Sequence, residues 1–333
     1  MSPADPDVPV RTDASAVGAY PRTLLLVAGA GRSGTSTMAG LMQILGLHVP
    51  RPEVPADASN PKGFSEPQWV VDHHDRLLRE AGVQVSDARP DAWFETGRIS
   101  TRELERTATA AWLEGHFAVS PELVVKDPRL SWFLGLWRVA ALRTGARPVF
   151  VTMLRPPAEV VGSKQRYYAN TLGSAHLTAS WLNMLLHTER GTRDAADPGT
   201  PGGRVFVRYA DLLDDWTRTT MHVGETLSLQ HVLHAGSEQI RAAHRFVDPS
   251  LRRMGQSLDE LALPPRLREL TAETWSELNA LAEPGGDTPA VHAHLDALRE
   301  AYADLYAEAE AISRSSVVAA EHRGRRQARR PGP

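Results

Sequence analysis

The stretch from Leu24 to Thr37 constrains this chain more than any other. It reads Leu24-Leu25-Leu26-Val27-Ala28-Gly29-Ala30-Gly31-Arg32-Ser33-Gly34-Thr35-Ser36-Thr37. The apolar run is too short for a helix and ends in a glycine-rich loop. An apolar-periodic segment follows, with Met38, Leu41, Met42 and Leu45 at helical spacing. The pattern predicts strand, loop, helix. Glycines let consecutive backbone N–H groups face one concavity, and a helix N-terminus adds positive potential to it. A phosphate or sulfate group is the natural guest. Gly31, Arg32, Ser33, Gly34, Thr35 and Ser36 are the residues placed to hold it. The plain alternative is a strand–turn–helix without a ligand.

Two familiar phosphate-binding patterns fit this loop, and each fails at a residue that matters. Gly29, Gly31 and Gly34 satisfy G-x-G-x-x-G, the dinucleotide fingerprint. That pattern also needs an acidic residue at the end of a second strand roughly 20 residues on. Glu53 has the distance, but Pro50, Pro52 and Pro55 around it exclude a central strand. Gly29-x-x-x-x-Gly34-Thr35-Ser36 is a Walker A loop with threonine where the lysine belongs. Without that lysine the grip on the β- and γ-phosphates of a nucleoside triphosphate is weak.

A second candidate anion site lies further along. Pro148 to Leu154 is an apolar strand ending in Arg155, and Pro156 and Pro157 suit the first turn of a helix that carries Ser163. Arginine offers a phosphate a charged fork and serine a hydroxyl. Taken with Arg32 to Ser36, this arrangement resembles the sulfotransferases that use 3′-phosphoadenosine-5′-phosphosulfate (PAPS), in their bacterial and Golgi-type branches. The resemblance spans about residues 23–255. It implies an α/β fold with a parallel central sheet flanked by helices, P-loop-like in its first βα unit. It assigns the loop to the 5′-phosphosulfate and Arg155 and Ser163 to the 3′-phosphate. A late segment, Phe246 to Arg253, resembles a bacterial element, from which Arg252 or Arg253 is expected to close on the donor. The implied co-substrate is PAPS, with 3′,5′-ADP as product and no metal required.

The same resemblance orders the candidate catalytic groups. The cytosolic branch has a histidine base in a K-T-H segment; here that segment is Lys126-Asp127-Pro128-Arg129, so Lys126 matches and the histidine is absent. Asn60-Pro61-Lys62-Gly63-Phe64-Ser65-Glu66 resembles the bacterial N-P-x-G-x-x-E element, which makes Glu66 the expected base, with Arg32 and Lys126 supplying positive charge. A carboxylate at a helix start is also what the helix dipole favours without any catalytic role. His73 or His74 is the next choice of base, and Asp127 the third, unless it braces Arg129 or Lys126. Arg208-Tyr209-Ala210-Asp211-Leu212-Leu213 resembles a largely structural family element. The implied acceptor is a hydroxyl of a small molecule or glycan. Trp93, Phe94, Tyr167, Tyr168 and Trp181 are candidates for its pocket, or for ordinary core. A P-loop kinase and a non-catalytic nucleotide-binding protein are the rival readings.

Composition narrows the field further. A net charge of −3 over 333 residues argues against a nucleic-acid binder. The absence of cysteine excludes disulfides, zinc–thiolate sites and thiol catalysis. No apolar run approaches the ~20 residues of a membrane span, and residues 1–20 have no apolar core of a secretory signal. A soluble, cytoplasmic protein is expected, where activated sulfate is made. Lysine occurs only at Lys62, Lys126 and Lys164 among 37 basic residues, each in a segment singled out on other grounds. Residues 1–20 are expected to be disordered, 21–318 to form one domain with a helical C-terminal part, and 319–333 to be a basic disordered tail. Within the domain, residues 83–98 read as polar loop, Ser65 as a helix cap, and the last helix as covering about 288–313.

Overall fold

The structure is a computed structural model, which describes residues 22–57, 60, 62–167, 172–193, 203–248, 255 and 257–328. Strands and helices alternate through the first two thirds. β1 (Thr23–Ala28) leads into α1 (Thr35–Ile44), then α2 (Gln68–Ala81), α3 (Ala92–Ser100) and α4 (Glu103–Phe117). β2 (Glu122–Lys126) is followed by a 3₁₀ turn (Leu130–Phe133) and α5 (Leu134–Arg143). β3 (Arg147–Leu154) precedes α6 (Pro157–Tyr167) and α7 (Ser174–Thr192). β4 (Gly203–Arg208) runs into α8 (Tyr209–Asp214) and α9 (Trp216–Leu227), with α10 (Gln230–Leu233) and α11 (Ser237–Phe246) after them. α12 (Pro265–Leu281) and α13 (Pro289–Ala328) complete the described residues.

The four strands form one parallel sheet in the order β2-β1-β3-β4. Parallel strands covered on both faces must be apolar throughout, and all six residues of β1 are buried. Alternate side chains go to opposite layers. Leu24, Leu26, Val125, Phe150 and Phe206 pack with α2 to α7, α12 and α13. Leu25, Val27, Val124, Val151 and Val205 pack with α1 and α8 to α11. The expected α/β architecture is therefore present. Its register pairs Val27 with Lys126 and Ala28 with Thr152, and Leu154 with Arg208. The loops after β1, β2 and β3 thus leave the same edge, where open α/β sheets hold their ligands.

Three local expectations are corrected. Residues 92–100 are helical rather than loop, because Ala92, Thr96 and Ile99 make a buried stripe at helical spacing. Ser65 does not cap α2: it adopts a left-handed backbone (φ 51°), and Pro67 stands at the cap position with no side-chain hydrogen bond. α13 continues past 313 to Ala328. Good helix formers (Ala, Glu, Arg, Gln) carry it on through exposed turns.

Candidate active site

The loop between β1 and α1 has the backbone of an anion cradle. Gly29 and Gly34 take φ of 133° and 88°, and Arg32, a non-glycine residue, takes 75°. A Cβ at Gly34 would lie 2.1 Å from the Tyr209 ring, so only glycine fits there. No side chain caps α1, and its first N–H groups have no partner within the helix. Ser33 Oγ is buried in the loop without a hydrogen-bond partner. A buried hydroxyl left unsatisfied is costly, and an oxyanion among these groups would satisfy it.

The second segment converges on the first. Arg32 Nε donates to Ser163 Oγ at 3.1 Å, across 131 positions of sequence. Arg155 donates from Nη1 to the Arg32 carbonyl at 3.0 Å and from Nε to Glu159 at 2.8 Å. Its Nη2 makes no hydrogen bond to a described residue. Its guanidinium lies 5.3 Å from the centroid of the Tyr209 ring. Tyr209, read from sequence as structural, walls both the loop and Arg155. Burial raises its pKa, so it stays a neutral phenol. The signal for this role was its place at the C-terminal end of β4, one residue past Arg208.

On the other side of β1, Lys126 and Glu66 form an ion pair, 2% and 6% exposed. Lys126 Nζ also donates to Ser36 Oγ at 3.0 Å. The lysine therefore ties the candidate base to the start of α1. Burial pushes the Glu66 pKa up, with the charge of Asp127 adding to it; Lys126 and Arg129 pull it back without cancelling it. A carboxyl with a raised pKa is closer to the range in which a general base works at neutral pH.

The histidines are placed elsewhere. His74 is fully buried, donates from Nδ1 to Asp127 at 2.6 Å and accepts at Nε2 from Trp137 at 2.7 Å. Both ring nitrogens are taken. His73 contacts Arg76 and Thr109 on the side of α4, and burial, with His74 and Arg76 beside it, lowers its pKa to about 4. Asp127 braces Arg129 at 2.8 Å as well as His74. Burial alone would raise its pKa, but those partners hold it below the usual range. Lys62 donates to the Phe246 carbonyl at 2.5 Å, fastening the loop before Glu66 to the end of α11.

Of the acceptor-pocket candidates, Trp181 is core, Phe94 is exposed, and Trp93 stacks on His187 at 4.9 Å. Tyr168 and the side chain of Tyr167 lie outside the described residues, as do Arg252 and Arg253. The chain is described again at Gly255, where a Cβ would stand 3.0 Å from Glu159 Cγ. Among the described residues no group of three or more His, Asp or Glu is arranged to hold a metal ion. No described helix is long and apolar enough to cross a membrane.

No protein-family model matches this chain, and no curated protein does either. Among solved structures it is similar to a sulfotransferase domain from the olefin synthase of Synechococcus PCC 7002. The two are 14% identical over 85% of this chain and 95% of that one, with a TM-score of 0.39. A likeness this distant assigns no chemistry.

Proposed function

We propose that the protein is a sulfotransferase that moves a sulfuryl group from PAPS to the hydroxyl of a small-molecule or glycan acceptor. One observation carries this reading. Arg32 in the β1 loop, and Arg155 and Ser163 after β3, meet within hydrogen-bond distance at one sheet edge. Two anion-binding groups side by side suit a donor with a phosphosulfate at one end of a nucleoside and a phosphate at the other. The loop from Gly31 to Ser36 takes the phosphosulfate. Arg155 and Ser163, with Arg252, take the 3′-phosphate. A kinase reading loses its lysine at Thr35.

The chemistry assigns each group one task. The acceptor oxygen attacks sulfur, and its bond to sulfur forms as the bond from sulfur to the 5′-phosphate oxygen breaks. The electron pair of that bond leaves on the phosphate as 3′,5′-ADP. The acceptor's proton passes to Glu66. Loop N–H groups and Arg32 stabilise the charge that grows on the leaving phosphate. Lys126, bonded to Glu66 and Ser36, keeps the base beside the reacting centre. A cytoplasmic setting, where activated sulfate is made, belongs to the same reading.

The direct test is acceptor-dependent release of 3′,5′-ADP from PAPS, measured over a panel of phenols, sugars and hydroxy acids in EDTA. Turnover without divalent metal is expected. Transfer from ATP that needs Mg²⁺, with PAPS inert, would overturn the reading in favour of a kinase.

A further inference from the structure

Lys164 follows Ser163 on α6 but takes no part in the contacts described above. Its side chain is buried, with the residue 5% exposed. It donates to Ser86 Oγ at 3.0 Å and forms no ion pair with a described residue. An ammonium carries three donors, so two have no partner among the described residues. Burial lowers its pKa to about 8, which leaves most molecules charged at pH 7. Buried cations are ordinarily paired. The carboxylate of Asp87, which follows Ser86 in sequence, is spent on Arg89 and on the N–H groups of Gln84 and Arg89.

The loop that faces Lys164 is held rigidly. Trp132 donates to the Val85 carbonyl at 3.2 Å, and Asn183 to those of Asp87 and Arg89 at 3.1 and 2.9 Å. His176 bonds the Ser86 carbonyl at 3.2 Å. Ser86 is thus fixed from the 3₁₀ turn and from α7. The result is an ammonium and a hydroxyl at fixed separation. Ser163, whose Cα is ~3.8 Å along the chain from that of Lys164, touches Arg32 of the cradle.

We propose that Lys164 and Ser86 bind a carboxylate of the acceptor, which makes the acceptor a hydroxy acid. A single ammonium matches the single charge of a carboxylate, whereas phosphate recognition favours the arginine fork. The chain uses arginine for 34 of its 37 basic side chains (37 minus the three lysines). A lysine here is a compact point charge on a flexible stem. The word acceptor rests on the sulfotransferase reading; the carboxylate site does not.

The test uses the whole protein labelled with ¹³C at lysine Cε, where three lysines give three assignable signals. Probes are 3-hydroxybutyrate, 4-hydroxybenzoate and 4-hydroxyphenylacetate, each beside its primary amide, with and without 3′,5′-ADP. At least one acid should move the Lys164 signal while its amide does not. Lys164→Met and Ser86→Ala should each weaken that acid's binding, the former by about 10–100-fold, as for a lost charged hydrogen bond. A Lys164 signal unmoved by every acid, equal binding of acids and amides, or unchanged binding in both variants would overturn the proposal. The 3′,5′-ADP arm is read separately: its failure speaks against the donor site and leaves the carboxylate result standing.

Discussion

Replacing Lys126 by methionine removes half of a buried ion pair, and the cost can be worked from its surroundings. Glu66 would keep its burial and the nearby charge of Asp127, both of which raise its pKa, with Arg129 alone pulling against them. Removing one partner of a buried pair costs about 3–5 kcal/mol, a large share of the ~5–15 kcal/mol that holds a domain folded. The carboxyl can escape part of that cost by taking up a proton. Its folded pKa then stands above the unfolded value of about 4.3. The folded state therefore binds more protons, and stability falls as pH rises from there through the raised pKa. The loss should be larger at pH 8 than at pH 5. Lys126→Met/Glu66→Leu, which removes both charges and keeps the volume apolar, should recover most of it. Urea denaturation of the parent and these variants at both pH values measures each quantity. A Lys126→Met loss under about 1 kcal/mol at pH 8, or a double variant no more stable than the single, would refute the reasoning.

Glu66→Gln keeps the shape and removes the basicity, so sulfuryl transfer should slow by about 10²–10⁴-fold with 3′,5′-ADP affinity nearly unchanged; His73→Ala should leave turnover close to the parent's. Burial lowers the Lys164 pKa from 10.5 to about 8, so the unfolded chain holds more protons between those values and stability from this group rises with pH. The stability difference between the parent and Lys164→Met should therefore change by about 3 kcal/mol between pH 7 and 10.5, and a difference that does not depend on pH would show that the amine is not buried as a cation.

What the sequence made legible was what is local. The β1 loop and the Arg155–Ser163 unit each declare themselves within a dozen residues, because strand, turn glycines and helix start are contiguous. Their meeting was not legible in detail, since the bond from Arg32 to Ser163 depends on β1 and β3 being neighbours in the sheet. Lys126 and Glu66 were each expected at the site, but their pairing across 60 positions needs the fold. His74 could not be told from a base by sequence. Only its bonds to Asp127 and Trp137 show both nitrogens occupied. α3 escaped notice because its inward stripe uses alanine and threonine, which carry little hydropathy signal, and a glycine lies within it. Tyr209 escaped because an aromatic after a strand reads as packing until the loop glycine is seen beneath its ring.

The central claim is that two anion sites at one sheet edge read the two ends of one nucleotide. Calorimetric titration of the parent and of Arg155→Ala with 3′,5′-ADP and with 5′-AMP tests it most directly. The two ligands differ only in the 3′-phosphate. A charged hydrogen bond to that group is worth about 1.5–3 kcal/mol. The parent should bind 3′,5′-ADP about 10–100-fold more tightly than 5′-AMP, and Arg155→Ala should lose most of that preference. Equal affinities of the parent for the two nucleotides would contradict the account.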